Sequence, residues 1–267
     1  MIRDITIGQY YPTGSVIHQL DPRVKLMGTL IYIVSLFLSS TVPGYLIAVI
    51  FLSAVIRLSR VPFLYIVRGL RTVVVLLLFS VALNIFFTTG DHVLIQIGIV
   101  RITTEGLIRA AQMGVRLIFL ILGSSMMTFT TTPNQLTDGL ETGLGFLKKL
   151  HVPIHEIAMM MSIALRFIPI LVEETDKIMK AQMARGADFE SGKLLERAKA
   201  MIPILVPLFI SAFRRATDLA MAMEARCYHG GEGRTRMKPL QYTTNDYIAY
   251  GILAVYLVLM ILSRRFG

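Results

Sequence analysis

The residues of this chain that could do chemistry do not form a familiar catalytic motif. His151 and His155 have the i,i+4 spacing of paired metal ligands, but Pro153 lies between them and no acidic or cysteine ligand lies at metal-site spacing. The sequence has one cysteine, Cys227, and no Gly-x-Ser-x-Gly nucleophile motif. We therefore predict no catalytic residue and no metal site, and we interpret both histidines as surface residues near a helix start.

The nearest approach to a phosphate-binding loop is the glycine-flanked segment 186–194. It has one residue too many between its two glycines, and Leu194 stands where a Walker A loop needs the Ser or Thr that holds magnesium. No hydrophobic strand precedes it. We expect this chain to bind no cofactor by itself, neither ATP nor magnesium.

Two segments with an arginine beside small residues, Ala184-Arg185-Gly186 and Ala225-Arg226-Cys227, end predicted long helices. One such ending is explained by the attraction between an arginine in the last turn and the helix dipole. Two on paired helices resemble protruding tips, because each guanidinium carries a fixed charge and a fork of donors suited to carboxylates and carbonyls. We interpret these residues as candidate docking tips for another protein.

A second kind of arginine lies inside a predicted membrane span. Arg109 and Arg116 are seven residues apart on one face of that helix. A charge at such depth is costly unless it is paired or hydrated, so it marks a candidate functional site. The structural alternative is that Arg109 extends to the outer interface and Arg116 contacts a carbonyl or an acidic partner. Asn84 is the other strong polar candidate within a span.

The composition shows what kind of scaffold holds these residues. Of the 267 residues, 54% are hydrophobic and 16% are charged, and the mean hydropathy is +0.64. A soluble domain carries about 45–50% apolar and about 25% charged residues, so that class is excluded. A net charge of +10 in such a hydrophobic chain favours basic cytoplasmic loops over nucleic-acid binding. We predict an all-α integral membrane protein.

Five apolar segments are long enough to be transmembrane helices. In chain order they are Val24–Ser40, Tyr45–Leu58, Thr72–Thr88, Leu107–Thr131 and Tyr247–Leu262. The link between the second and third segments is basic, which places it in the cytoplasm by the positive-inside rule. Its arginines are Arg57, Arg60, Arg68 and Arg71. The N-terminus is therefore predicted to be cytoplasmic. We expect three regions: 1–132 with four spans, 133–245 as cytoplasmic coupling helices, and 246–267 as the last span.

The middle region carries helix boundaries along its length. Thr132–Gln135 forms a capping box with proline at the first helical position, so a helix should start there. A long helix is predicted from Ile154 to Arg185, roughly 45 Å, with Gly186 as its C′ residue. A short helix after Ser191 should lead to prolines at 203 and 207. Another long helix should then end near residue 226.

The first of the long helices carries an almost continuous apolar stretch that begins at Met159, Met160 and Met161. Such a surface must be covered, and packing between the two long helices accounts for most of it. The flexible thioethers also suit a surface that fits more than one partner. These methionines are therefore a candidate contact surface.

A short motif, Asp21-Pro22-Arg23, precedes the first span. Asp21 suits an N-cap and Pro22 suits the first helical position. Arg23 and Lys25 are expected to anchor in lipid headgroups. By itself the motif predicts a helix start.

Taken together, these features resemble the transmembrane T component of energy-coupling factor transporters, the vitamin and metal importers of the ABC class. The resemblance covers essentially the whole chain. It depends on the segment 18–26 with its Asp-Pro-Arg motif, on Thr131-Thr132-Pro133, and on the two Ala-Arg-Gly-type motifs. In the second of these, Cys227 replaces the usual glycine.

The resemblance implies a mechanism and a set of partners. Two ATP-binding-cassette ATPase subunits, which bind ATP and magnesium, each receive one arginine tip. One or more small membrane proteins, the S components, capture a vitamin or a metal and pack against the apolar surface. ATP turnover moves the coupling helices and reorients the S component. The chain is then a non-catalytic, multi-pass subunit in the bacterial inner or plasma membrane, with no nucleic-acid partner.

Three other functions compete with this interpretation. A self-contained secondary transporter would need midplane polar sites repeated in two halves, and the sequence has no inverted repeat. A membrane enzyme would need a catalytic cluster. An ordinary ABC permease subunit would also dock an ATPase, but usually through one short coupling helix.

Overall fold

The computed structural model describes residues 10–39, 41–71, 73–87, 93–97, 100–189, 194–231, 237 and 239–265. The helices are α1 Val16–Gln19, α2 Pro22–Leu38, α3 Val42–Ser59, α4 Phe63–Arg71, α5 Val74–Phe87, α6 Thr104–Thr130, α7 Pro133–Gly143, α8 Ile154–Ala184, α9 Leu194–Ala225 and α10 Thr244–Arg265, with a 3₁₀ helix at Gly145–Leu150. Between α5 and α6, β1 (Val93–Ile97) pairs antiparallel with β2 (Val100–Thr103). The predicted helical membrane fold is confirmed, with this short hairpin added.

The chain divides into two compact units. The first, here the bundle unit, comprises Gly8–Gly139 and Pro239–Gly267, so the last helix joins α1 to α6 and most of α7. The second, here the helix-pair unit, includes Leu140–Lys238 and is built mainly from α8 and α9. The assignment of residues 133–245 to the cytoplasm stays a prediction.

Among the residues described, five helices are long and apolar enough to cross a membrane. Three of them, α3, α6 and α10, coincide with predicted spans. The other two are α8 and the part of α9 at Lys199–Ala225. The segments predicted at 24–40 and 72–88 fold as α2 and α5, of 17 and 14 residues. At about 1.5 Å per residue these two helices are shorter than a hydrocarbon core of about 30 Å.

The core of the bundle unit forms where α2, α3, α6 and α10 pack together. Its buried apolar residues are Tyr32, Leu36, Ala48, Leu52, Val61, Ile66, Met126, Phe129, Tyr256 and Met260. The rings of Phe51 and Tyr256 stack with centroids 4.4 Å apart. Gly123 of α6 lies under the Tyr32 ring, where a Cβ would clash. A glycine is therefore needed for this close approach of α2 and α6.

The prolines of α9 do not end a helix, contrary to the prediction of a short helix followed by a longer one. Pro203 and Pro207 lie inside the continuous helix Leu194–Ala225, as Pro169 lies inside α8. Each internal proline removes one backbone hydrogen bond and favours a kink, at a cost of about 3 kcal/mol. The helix nevertheless remains continuous across both positions, and it packs along α8.

Candidate functional site

The first arginine tip is the cap of α8. Arg185 is the C-cap residue, and Gly186 follows it with φ +87°. The Gly186 N–H donates to the Met183 carbonyl over 3.0 Å, and the Ala187 N–H donates to the Gln182 carbonyl over 3.0 Å. These paired bonds form a Schellman motif, whose C′ residue must adopt the left-handed conformation. The predicted helix end and the C′ role of Gly186 are both confirmed.

The second arginine tip has the same geometry at the end of α9. The Cys227 N–H donates to the Glu224 carbonyl over 2.8 Å, and the Tyr228 N–H donates to the Met223 carbonyl over 3.1 Å. Cys227 therefore takes the C′ place that glycine takes in the first motif, with φ +53°. A side chain with a Cβ is strained in that region. The Ala-Arg-Gly pattern thus describes a helix cap with an arginine at its C-cap position.

Both arginine side chains are exposed, and so are Ala184, Ala225 and Cys227. The helices that carry them run antiparallel. The Gln182 amide, late in α8, donates to the Pro203 carbonyl, early in α9, over 3.5 Å. Arg215 donates to Glu174 over 3.5 Å, farther from both of those ends. Because the helices are antiparallel, the two arginine-bearing ends point in opposite directions.

The two long helices bury only part of their apolar surface. On α8, Met160 and Met161 are 57% and 42% exposed, whereas Met159 is half-buried and Ala158 is buried. On α9, exposed apolar residues lie on more than one face of the helix. Ile202, Val206, Phe209 and Phe213 follow helical spacing and form an exposed stripe, and Met201, Leu205 and Ile210 are exposed beside it. The helix-pair unit therefore presents apolar surface beyond what its own packing covers.

The Asp21-Pro22-Arg23 motif starts α2 as predicted. The Asp21 carboxylate accepts from the Arg23 N–H over 2.9 Å, and Pro22 is the first helical residue. The same carboxylate pairs with the Arg23 guanidinium at 2.8 Å. That guanidinium also lies 4.0 Å from the centre of the Tyr242 ring. The headgroup role predicted for Arg23 is therefore wrong, since its partners are within the protein.

Lys25 is also held inside the bundle unit and not in headgroups. Its ammonium donates to the carbonyls of His18 and Thr130, over 2.9 and 2.8 Å. Thr130 is the last residue of α6, whose carbonyl has no partner in its own helix. Lys25 thus joins the N-terminal segment to the end of α6.

Burial and the neighbouring lysine lower the pKa of His18, although backbone hydrogen bonds oppose the shift.

A residue outside the motifs recognised in the sequence completes this junction. Asp246 of α10 is 1% exposed, and its carboxylate accepts from the Asp21 N–H over 2.8 Å. It also accepts from the N–H and the hydroxyl of Thr243, each over 2.7 Å. The Thr-x-x-Asp spacing of residues 243–246 is a capping signal that could have identified it. Asp246 therefore caps α10 and fixes the start of α2 in one place.

The two arginines of α6 have different surroundings. Arg116 donates to the carbonyl of Ser39 over 3.0 Å, and Ser39 is the C-cap residue of α2. Its charge therefore lies at the negative end of a helix dipole. Arg109 is exposed. Asn84 of α5 donates to the Ser80 carbonyl of its own helix over 3.0 Å.

The predicted capping box and the paired histidines flank the segment that contains α7 and the 3₁₀ helix. Thr132 and Gln135 exchange hydrogen bonds of 3.1 and 3.3 Å at the start of α7, so the capping box is confirmed. His151 is exposed with φ +58°. His155 is partly buried and lies 2.9 Å from the Glu141 carboxylate, so it is not a plain surface residue. Its ring also packs on Gly231, where a Cβ would clash.

The fold and these caps define a class: a multi-pass helical membrane protein with two long helices, each ended by an arginine cap. The family model described as "CbiQ: Cobalt transport protein" matches residues 13–237. The energy-coupling factor transporter transmembrane protein EcfT of Clostridium kluyveri is 56% identical over 265 residues, which cover 99% of this chain and 98% of that protein. EcfT of Bacillus subtilis is 46% identical over 264 residues, covering 99% and 100%.

This chain belongs to the CbiQ family. It is the transmembrane component of an energy-coupling factor transporter, as the resemblance of its motifs implied. Its EcfT relative in Thermosediminibacter oceani is 54% identical over 257 residues, which cover 95% of this chain and 97% of that protein.

Proposed function

We propose that this chain transmits the energy of ATP turnover from two ATP-binding-cassette subunits to a substrate-binding S component. Arg185 and Arg226 dock one ATPase subunit each, and the partners alone bind ATP and magnesium. The S component selects the cargo, a vitamin or a metal. The N-terminus and the helix-pair unit face the cytoplasm in the bacterial plasma membrane.

One observation carries this proposal: two long helices end in the same Schellman cap with an exposed arginine at the same position. A cap held by two backbone hydrogen bonds fixes the backbone from which each arginine side chain extends, at the rigid end of a long helix. The antiparallel helices point their tips apart, which suits two separate grooves on two subunits. Family membership favours this mechanism over a self-contained secondary transporter or an ordinary ABC permease subunit.

The apolar surface of the helix-pair unit supports the second half of the proposal. Met159, Met160 and Met161, with the exposed stripe of α9, form the surface against which the S component packs. Methionine side chains adapt to different partner shapes, which suits a component that serves several S components. Movement of α8 and α9 by the ATPases then reaches the S component through rigid helices.

Charge reversal at the tips tests the docking role. Arg185→Glu and Arg226→Glu should each reduce recovery of ATPase subunits with the tagged chain at least tenfold, because a carboxylate repels the acceptors that a guanidinium binds. Vitamin uptake by the reconstituted transporter should fall together with the recovery of the ATPase subunits. The matched control is Arg214→Glu, an exposed arginine on the side of α9.

Membrane insertion and yield of all three variants should equal those of the wild-type chain. Normal ATPase recovery and uptake with either tip variant would remove that arginine from the docking site. Equal losses with Arg214→Glu would mean that general charge, and not the caps, governs assembly.

A further inference from the structure

A cavity of about 230 Å³ that is open to the surface lies in the bundle unit, bounded by α2, α3, α6 and α10. Its walls are mostly apolar, and Lys25, Thr29 and Thr130 supply polar groups. On α2 the lining runs from Val24 to Tyr32, about 12 Å along the helix axis. The cavity is therefore elongated along the helices, with the lysine near the start of α2.

The cavity has an opening at the surface of the bundle unit. Ala54 and Leu58 of α3 and Ile252 of α10 line it and are also exposed. Both helices are apolar enough to cross a membrane, and their outer faces are apolar. Because the chain is a multi-pass membrane protein and these outer faces are apolar, we infer that the opening faces lipid at Ala54 and Ile252.

The part of the cavity around Tyr32, Leu52 and Met126 is apolar and offers water few hydrogen-bond partners. An empty cavity forfeits the dispersion contacts of its lining. The apolar material beside the opening is the hydrocarbon of the bilayer. We propose that this cavity binds an acyl chain of a membrane phospholipid, with the polar end of the lipid toward Lys25. This inference goes beyond the proposed function and does not depend on it.

Photochemical labelling tests the acyl-chain site directly. The full-length chain would be reconstituted in phosphatidylcholine vesicles that contain a phosphatidylcholine with a diazirine in its acyl chain. Tyr32, Leu52 and Met126 line the cavity and are only 3%, 5% and 3% exposed. After illumination, mass spectrometry should find lipid adducts on these three residues, because the cavity gives lipid a route to them.

Two filling variants and one control make the test specific. Ala249→Phe and Ala54→Phe each place a ring at a lining position of the cavity, so adducts on the three buried residues should fall at least fivefold. Ala254→Phe, at an exposed position of α10 that does not line the cavity, should leave them unchanged. Ala54 is exposed, so its variant keeps the test informative if Ala249→Phe does not fold.

The proposal fails if labelling is confined to outward residues such as Leu46 and Val258. It also fails if adducts on the buried residues survive both filling variants. Adducts that vanish when the co-purified partner subunits are present would assign the cavity to a partner side chain. Labelling does not measure transport, so these outcomes are separate from those of the docking test.

Discussion

At the scale of single residues, the arginine tips depend on the residue that follows each arginine. Gly186 adopts φ +87° without a Cβ, whereas Cys227 adopts φ +53° with one. The left-handed conformation costs an L-residue with a Cβ roughly 1–2 kcal/mol relative to glycine. The two tips therefore have the same hydrogen bonds but different stability.

Replacing Cys227 by glycine should strengthen the second cap. Cys227→Gly relieves about 1 kcal/mol of backbone strain, so amide hydrogen exchange at the end of α9 should slow about fivefold. Cys227→Val should speed it, because a β-branched side chain tolerates this conformation least. ATPase recovery should stay near wild type with the glycine variant. Faster exchange with glycine would contradict the strain argument.

His18 gives the bundle unit a pH-dependent contribution to stability. The Ser15 hydroxyl lies 2.7 Å from its Nδ1, and its Nε2 lies 2.8 Å from the Tyr11 carbonyl, which requires the proton on Nε2. Burial, followed by the charge of Lys25, lowers the pKa of His18 below its ordinary value of 6.5, against the opposing effect of hydrogen bonds to the Tyr11 and Phe129 carbonyls.

Acidification should therefore destabilise the detergent-purified chain. A lowered folded-state pKa means that the unfolded chain binds the proton first, so this contribution is complete above about pH 6.5 and is lost as the pH falls below it. The melting temperature should fall between pH 7.5 and pH 5.5. His18→Gln should melt lower at pH 7.5 but show a smaller fall. An unchanged fall in the variant would assign the pH dependence to other groups.

At the scale of elements, the start of α2 is held by parts that are distant in sequence. Asp246 joins it to α10, and Lys25 joins it to the end of α6. Pro22 packs on Gly139 of α7, where an added Cβ would lie 2.8 Å from the proline Cβ. The Asp-Pro-Arg motif is therefore a junction of helix ends as well as a helix cap.

Asp246→Asn tests this junction. The Asp246 carboxylate accepts three hydrogen bonds through its two oxygens. In the asparagine variant an NH₂ group replaces one of these oxygens, and it cannot accept a hydrogen bond from the donor that faces it. Loss of one such bond should lower the free energy of unfolding by about 2 kcal/mol. Denaturant unfolding in mild detergent, followed by circular dichroism, measures the change.

The matched control for Asp246→Asn is Asp218→Asn, which changes an exposed carboxylate on α9 in the same way. Its free energy of unfolding should stay within about 0.5 kcal/mol of the wild-type value. Equal stability of Asp246→Asn and the wild-type chain would show that the carboxylate adds nothing over an amide at this junction.

At the scale of the whole molecule, the candidate membrane spans α3, α6 and α10 and the proposed docking residues lie in different units. The bundle unit contains α3, α6 and α10, which are long and apolar enough to cross a membrane. The helix-pair unit contains both arginine tips and the exposed methionines. The tip variants described above test the helix-pair unit, and the labelling experiment tests the bundle unit.

The sequence by itself determined the features that depend on local chemistry. Apolar composition predicted the membrane class, because composition does not depend on which residues are in contact. Gly186 predicted the end of α8, because a helix cap depends only on residues that are close together in the chain. The capping box at Thr132 was local in the same way. By length and composition, α8 and α9 meet the same membrane-span criterion as α3, α6 and α10, so this criterion does not distinguish the two groups of helices.

Only the tertiary structure decided the partners of buried charges. Asp246 lies 225 positions from Asp21, and Lys25 lies 105 positions from Thr130, so no local pattern pairs them. It also showed that α9 continues through Pro203 and Pro207, where the local sequence favours a break. Local residues choose where helices begin and end, whereas burial of a charge requires an acceptor that only the folded chain brings near.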